Sequence, residues 1–159
     1  MKTTHITRPV FCGALLAVLL TAMLHSDGES QEPAGSQDEA LVTNLEGADW
    51  GPPGTADRFP KGVQTAQLGI DPDNGGPIYY ARFPAGSHFD LHWHSRTEYV
   101  AVLSGEVTLV LGEESHSLST GSYIVIPARM NHSWDVPAGD DSVILVRRRG
   151  PADFNFVER

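Results

Sequence analysis

The 159-residue sequence has a single cysteine, Cys12, which lies in an apolar stretch near the amino terminus. Because the rest of the chain has no thiol, disulfide bonds and thiolate metal sites are excluded there. Basic residues are also few: 11 Lys and Arg stand against 20 Asp and Glu, a formal net charge of −9. An acidic chain of this size is a poor candidate for binding nucleic acid or anionic membrane surfaces.

Long apolar runs are absent after residue 24. The run at residues 10–24 follows Lys2 and Arg8 and is short for a membrane-spanning helix. We therefore interpret residues 1–26 as a signal peptide, with an uncleaved membrane anchor as the alternative. Residues 27–49 are polar and acidic, which predicts a disordered linker that ends in a short N-terminal arm. Residues 50–159 predict a single domain, exported to the periplasm or secreted.

Sustained helical periodicity is also missing after the apolar run. The chain instead alternates short β-branched or aromatic runs with Gly, Pro, Asn and Asp. Such spacing predicts an all-β sandwich or barrel, in which closure removes exposed strand edges. The predicted strands are residues 63–70, 78–83, 98–103, 107–111, 115–118, 123–126, 143–148 and 154–157.

The chemistry of the chain is concentrated in His92, His94 and Glu98, with His132 as a further candidate. Two histidines separated by one residue project from the same side of an extended strand, because strand side chains alternate faces. A short turn after His94 can bring the Glu98 carboxylate toward the same cavity. Three neutral imidazoles and one carboxylate predict a site for one divalent transition metal.

This donor set leaves the identity of the metal open. Iron, manganese, nickel, zinc and cobalt all accept histidine and carboxylate ligands. A structural zinc site is the alternative, but such sites are usually closed by four protein ligands, commonly cysteines. Three histidines and one glutamate leave two positions of an octahedral ion for water, O2 or substrate.

The spacing of these residues resembles the signatures of the cupin superfamily. The first signature, G-x5-H-x-H-x3-E-x6-G, is matched at every fixed position by Gly86, His92, His94, Glu98 and Gly105. The second, G-x5-P-x-G-x2-H-x3-N, is matched by Gly121, Pro127 and His132. It departs at Arg129, which stands in place of glycine, and at Val136, which stands in place of asparagine.

The resemblance covers about residues 50–157 and is similar to small, exported, single-domain cupins. It implies a double-stranded β-helix, or jelly-roll barrel, with a metal held by His92, His94, Glu98 and His132. The same resemblance favours a homodimer and a small-molecule ligand or substrate. Arg129 is expected to alter the loop that carries His132 or to place a cation near the mouth of the pocket.

Further residues are candidates for the site or for an interface. Tyr79 and Arg82 precede the first signature and are candidate catalytic residues with Glu98, although a core or surface role is the alternative for each. Arg147 is a candidate for reaching an anionic substrate, or else lies at a solvated strand end. If Glu98 points inward, the apolar outward face of its strand needs cover, from the N-terminal arm or from a second subunit.

Three functional hypotheses follow from an open metal site. The first, implied by the resemblance of the donor set to that of iron or manganese cupin dioxygenases and oxidases, is an exported oxidoreductase of the dioxygenase type that acts on a small oxygenated molecule. The second is a redox-neutral, metal-dependent isomerase or lyase, and the third is a module that binds or senses a metal or small ligand without turnover. Fold-level similarity does not separate them. The sequence has no G-x-S-x-G nucleophile elbow to support a serine hydrolase.

Overall fold

The architecture follows from short strands separated by turns. The structure is a computed structural model and describes residues 40–158. The predicted signal peptide and residues 27–39 of the predicted linker lie outside the described residues. Ten strands are found: β1 Gln64–Ile70, β2 Pro77–Phe83, β3 His88–Trp93, β4 Glu98–Ser104, β5 Glu106–Leu111, β6 Glu114–Ser119, β7 Tyr123–Ile126, β8 His132–Asp135, β9 Ser142–Arg148 and β10 Asn155–Phe156.

The strands form two antiparallel five-stranded sheets. The first sheet has the order β1-β2-β9-β4-β7 and the second has the order β10-β3-β8-β5-β6. Consecutive strands repeatedly cross from one sheet to the other, as expected for the predicted jelly roll. The all-β, single-domain prediction is therefore confirmed. Within residues 40–158 no helix has the length and hydropathy required to cross a membrane.

The core lies between the two sheets and follows from the alternation of strand side chains. On β4, Glu98, Val100 and Val102 are buried, whereas Tyr99, Ala101 and Leu103 face outward and are half-buried. The buried apolar side chains from both sheets form one cluster, which includes Val100, Val102, Val107, Leu109, Ile126, Ile144 and Val146. Glu98 thus begins a strand whose inward face is otherwise apolar.

The N-terminal arm contains one short 3-10 helix, Leu45–Gly47, and no strand among its described residues. Leu41 and Thr43 border a surface depression on the outer face of the first sheet, beside Ile78 and Leu145. Leu41 is still 68% exposed and Val42 is 85% exposed. The arm therefore covers only part of the outward apolar face.

Two observed strands, β3 and β8, were not among the strands predicted from the sequence. β3 is interrupted by a register shift between Phe89 and His92, and His94 lies one residue beyond its end. β8 contains His, Ser, Trp and Asp, of which only Trp favours strands. Its pairing with β3 and β5 specifies the strand, which is a long-range effect that local composition does not reveal.

Candidate metal centre

Strand pairing brings three histidines together. His92 on β3 is the cross-strand neighbour of His132 on β8. Their ring centroids are 4.2 Å apart, and the ring of His94 lies 4.9 Å from each. One ligand nitrogen from each of the three lies within 4.8 Å of the other two. All three histidines are buried, with exposed fractions of 1%, 2% and 0% for His92, His94 and His132.

Each imidazole is oriented by a backbone carbonyl. The Nδ1–H of His92 donates to Asp90 O at 2.6 Å, that of His94 to Asp153 O at 2.6 Å, and that of His132 to Met130 O at 3.0 Å. Because a carbonyl can only accept, each Nδ1 carries a proton, which leaves each Nε2 as the nitrogen that can bind a metal. Backbone partners of this kind are typical of histidines that bind metals.

The β3 bulge contributes to this orientation. The register shift at Asp90 and Leu91 turns both Phe89 and His92 toward the interior, although they are three residues apart. The rings of these two residues are stacked with centroids 4.0 Å apart. The bulged Asp90 also supplies the carbonyl that accepts from His92 Nδ1. The irregularity thus re-aims one side chain and fixes its tautomer, as bulges near functional sites commonly do.

Burial keeps two of the imidazoles neutral. Burial, followed by the nearby His132, lowers the pKa of His92 to about 3. Burial also lowers the pKa of His132. Among the described residues, neither Nε2 atom has a hydrogen-bond partner. Buried polar atoms normally find a partner, so these two unpaired lone pairs, aimed at a common point, fit a bound cation.

Glu98 completes the donor set. Its Oε2 lies 2.8 Å from His94 Nε2 and 3.1 Å from Arg148 Nη2. Burial raises the pKa of this carboxyl, but the contacts with His94 and Arg148 outweigh it, and the pKa falls to about 2. With His94 protonated at Nδ1, two acceptors face each other unless a proton or a cation lies between them. Two cis ligands of an octahedral ion, each about 2.0–2.1 Å from it, are separated by about 2.9 Å.

Arg148 is a residue of the site that sequence reasoning missed. It is the cross-strand neighbour of Glu98, is 3% exposed, and lies over the ring of Phe154 at 4.7 Å. Its Nε and Nη2 each donate to the Tyr79 hydroxyl at 3.2 Å. Alternation from the buried Ile144 and Val146 was the sequence signal that could have placed it inside.

His92, His94, Glu98 and Arg148 line a cavity of about 320 Å³ inside the barrel. Tyr79 faces it from β2, and burial, reinforced by the charge on Glu98, raises the pKa of this phenol to about 12. The remaining lining is mostly apolar and includes the aromatic side chains of Phe59, Phe83, Phe89, Trp134 and Phe154. The polar groups are therefore concentrated around the histidines, and the rest of the cavity suits an apolar ligand body.

Two candidate residues lie outside this cavity. Arg82 faces the outer side of β2, because Tyr79, Ala81 and Phe83 occupy the inner side. Its guanidinium stacks over Trp50 at 4.1 Å, so we correct its placement from the site to the surface. Arg147 also faces outward and pairs with Asp71. The arginine that reaches the interior is its neighbour Arg148.

Comparison with known proteins agrees with this architecture. Residues 79–146 match the family model of the cupin domain. No curated protein matches the sequence significantly. A cupin 2 conserved barrel domain protein from Rhodopseudomonas palustris has a similar structure, with a TM-score of 0.62 at 17% identity over 76% of this chain and 87% of that chain.

Two further solved structures are similar to this chain. The polyketide cyclase RemF from Streptomyces resistomycificus has a TM-score of 0.59 at 18% identity, covering 76% of this chain and 87% of that one. KdgF from Halomonas sp. has a TM-score of 0.56 at 24% identity, covering 72% and 96%. Identities this low show a shared fold and not a shared activity. The family match contains His92, His94, Glu98 and His132, and with the common barrel it confirms the predicted resemblance: residues 79–146 match a cupin domain.

Proposed function

We propose that this protein is a mononuclear metal-dependent enzyme, an oxidoreductase of the dioxygenase type that acts on a small oxygenated molecule inside the barrel. One observation carries the proposal: the three histidines present Nε2 lone pairs, each fixed by a carbonyl at Nδ1, beside an ionised buried carboxylate. Such a buried set has little use except to hold a cation.

The roles of the residues follow from their contacts. His92, His94, His132 and Glu98 would hold iron, manganese, nickel, zinc or cobalt. The bound ion would supply a Lewis acid with positions open to substrate and O2. Arg148 keeps Glu98 ionised and oriented through the 3.1 Å contact between Nη2 and Oε2. The aromatic walls lower the local dielectric constant, which strengthens each of these electrostatic contacts.

A redox-neutral lyase, cyclase or isomerase is the second candidate, and Tyr79 favours it. The high pKa of this phenol keeps its proton in place at neutral pH, beside the site, where it can serve as a general acid. RemF, which has a similar barrel, is described as a polyketide cyclase. Tyr79 would give its proton to a leaving or enolate oxygen, and Arg148 would stabilise the resulting phenolate.

The metal content of two histidine variants tests the site. In protein purified without added metal or chelator, we expect about one transition metal ion per chain. His94→Ala should lose most of this metal, because it removes one oriented donor. His116→Ala is the matched control, since His116 lies on β6 in contact with Glu114 at 3.7 Å, away from the cluster. Equal metal content in the two variants would refute the ligand assignment.

The reaction is tested by supplying the metal-loaded protein with a library of aromatic acids, phenols and enols. Oxygen uptake that depends on an added compound supports the dioxygenase. Turnover that persists in anaerobic buffer supports the redox-neutral enzyme instead. Saturable binding of a compound without any turnover, at full metal occupancy, contradicts both and supports a binding or sensing module.

We also propose export and homodimerisation for this chain. Export is supported by the basic residues and apolar run at residues 2–24, and detection of the mature chain outside the cytoplasm would test it. Dimerisation is supported by the outer face of the first sheet, where Ile70, Tyr123 and Val125 are 50%, 66% and 45% exposed. Exposed apolar patches of this kind commonly mark interfaces.

A further inference from the structure

The charges around the cavity do not cancel once a divalent ion is bound. Glu98 carries one negative charge and Arg148 one positive charge, while the histidines are neutral donors. The next carboxylate, Asp153, accepts from the Ser95 amide at 3.0 Å and from Asn155 Nδ2 at 2.6 Å. The divalent ion, Arg148 and Glu98 together carry about two positive charges, and the half-buried Asp153 carboxylate offsets about one of them. The remaining positive charge is unfavourable in an apolar cavity unless an anion enters.

Two hydrogen-bond donors face the same space. The Tyr79 hydroxyl accepts from Arg148 Nε and Nη2, and no described residue accepts the proton of that hydroxyl. Arg148 has five N–H donors in a planar fork. Nε and Nη2 donate to the Tyr79 hydroxyl, and Nη2 also lies 3.1 Å from Glu98 Oε2. Nη1 makes only a long contact of 3.5 Å with Asp153 O. A planar anion, such as a carboxylate, can accept from both residues.

The remaining walls set the shape of the ligand. A cavity of about 320 Å³ has room for about ten water molecules at roughly 30 Å³ each. Phe83, Phe89 and Phe154 line it together with Ile144 and Val146. Thr65 and Gln67 add two neutral polar side chains to the lining, but these walls contain no second cationic side chain. A second anionic group on the ligand would therefore lie in these walls without a cation to pair with it.

We propose that Arg148 and Tyr79 select a small anionic ligand that has one carboxylate or phenolate head and an apolar, aromatic body. The head faces Arg148 and Tyr79 beside the histidines, and the body lies against the phenylalanines. This assignment rests on the proposed metal centre, because the excess positive charge exists only when an ion is bound. Arg148 is thus a specificity-determining residue in addition to a partner of Glu98.

Calorimetric titration with two probes tests the assignment. Benzoate and benzyl alcohol have the same aromatic body and differ in the charge of the head. Metal-loaded wild-type protein should bind benzoate at least about tenfold more tightly, since charge-assisted hydrogen bonds stabilise it. Arg148→Met should weaken benzoate binding by at least about tenfold and change benzyl alcohol binding less than about threefold. Arg147→Met is the matched control, because it makes the same change one residue away on the outer face.

Two further variants separate recognition from folding. Arg148→Lys keeps the charge and should retain part of the preference for benzoate. Tyr79→Phe keeps the arginine and should weaken benzoate binding several-fold without changing the metal content. If Arg148 only oriented Glu98, Arg148→Met would lower the metal content and leave the ratio of the two affinities unchanged.

The outcomes distinguish this inference from the function on which it rests. Equal binding of the two probes to metal-loaded wild-type protein, or a metal-loaded Arg148→Met protein with an unchanged preference, overturns the inference and leaves the metal centre standing. Wild-type protein that takes up no metal overturns the proposed function and the inference together.

Discussion

Arg129 keeps the backbone conformation of the glycine that the second cupin signature has at this position. Its φ angle is +64°, in the left-handed region that residues with a side chain rarely adopt. The Arg129 amide donates to His94 O at 2.8 Å, so the turn that precedes His132 is tied to the other histidines. Its guanidinium lies 5.9 Å from the ring of Trp93, outside the cavity. The departure from the signature therefore leaves the site intact at a cost of about 1 kcal/mol.

Two substitutions at this position should differ in stability. Arg129→Gly relieves the left-handed strain but gives the unfolded chain more freedom, so we expect a change within about 1 kcal/mol. Arg129→Val places a β-branched side chain in the same conformation and should destabilise the fold by about 1–2 kcal/mol more than glycine does. Urea denaturation of the two variants measures the difference. A valine variant as stable as the glycine variant would contradict backbone strain at residue 129.

Individual residues also show which parts of the site the sequence could predict. The spacing of His92, His94, Glu98 and His132 was sufficient to predict that they share a site, and the structure brings all four together. Alternation requires Arg147 and Arg148 to face opposite sides of β9, but which of them faces inward depends on the register of β9 with β4. That register is a long-range pairing, so the sequence alone did not decide which arginine faces the cavity.

At the scale of elements, most strands could be predicted from composition because β-branched runs end at turn residues. β7, for example, was predicted at residues 123–126 and observed as Tyr123–Ile126. The β3 bulge and β8 could not be predicted, since both depend on contacts between strands distant in sequence. Those two elements position His92 and His132, so the least predictable part of the fold is the part that carries the chemistry.

The exposed outer face of the first sheet leads to a prediction about assembly. β7 is an edge strand of this sheet, and its Val125 side chain is 45% exposed. If this face joins two copies, Val125→Glu would bury a charge at the interface and convert dimers to monomers. Leu91→Glu is the control, because Leu91 is 37% exposed on the other sheet. Light scattering measures both masses, and a dimer that persists in Val125→Glu would exclude this face.

For the whole molecule, the buried titratable groups set the response to acid. In the metal-free protein the pKa of His92 is about 3, below its ordinary value of 6.5. Above pH 6.5 both folded and unfolded states are neutral at this residue. Between pH 6.5 and 3 the unfolded chain binds a proton that the native state does not, so stability falls as the pH falls.

The expected size of this effect is about 1.4 kcal/mol per pH unit for His92. His132, whose pKa is also lowered, acts in the same direction. Glu98 adds to the loss below its ordinary value of 4.5, because its pKa is about 2 in the fold. Urea denaturation in the presence of a chelator at pH 7.5, 6.5, 5.5 and 4.5 measures the slope. Stability that stays constant from pH 6.5 to 4.5 would contradict neutral burial of His92.

The carbonyl that orients His94 belongs to Asp153, which follows it by 59 residues. The same segment supplies Phe154 to the cavity wall and β10 to the edge of β3. A nascent chain still on the ribosome therefore has every coordinating side chain before it has the last group that aligns them. Alignment of the donors therefore depends on this late segment: a chain cut before residue 153 would keep all four donor side chains but lose the carbonyl that orients His94.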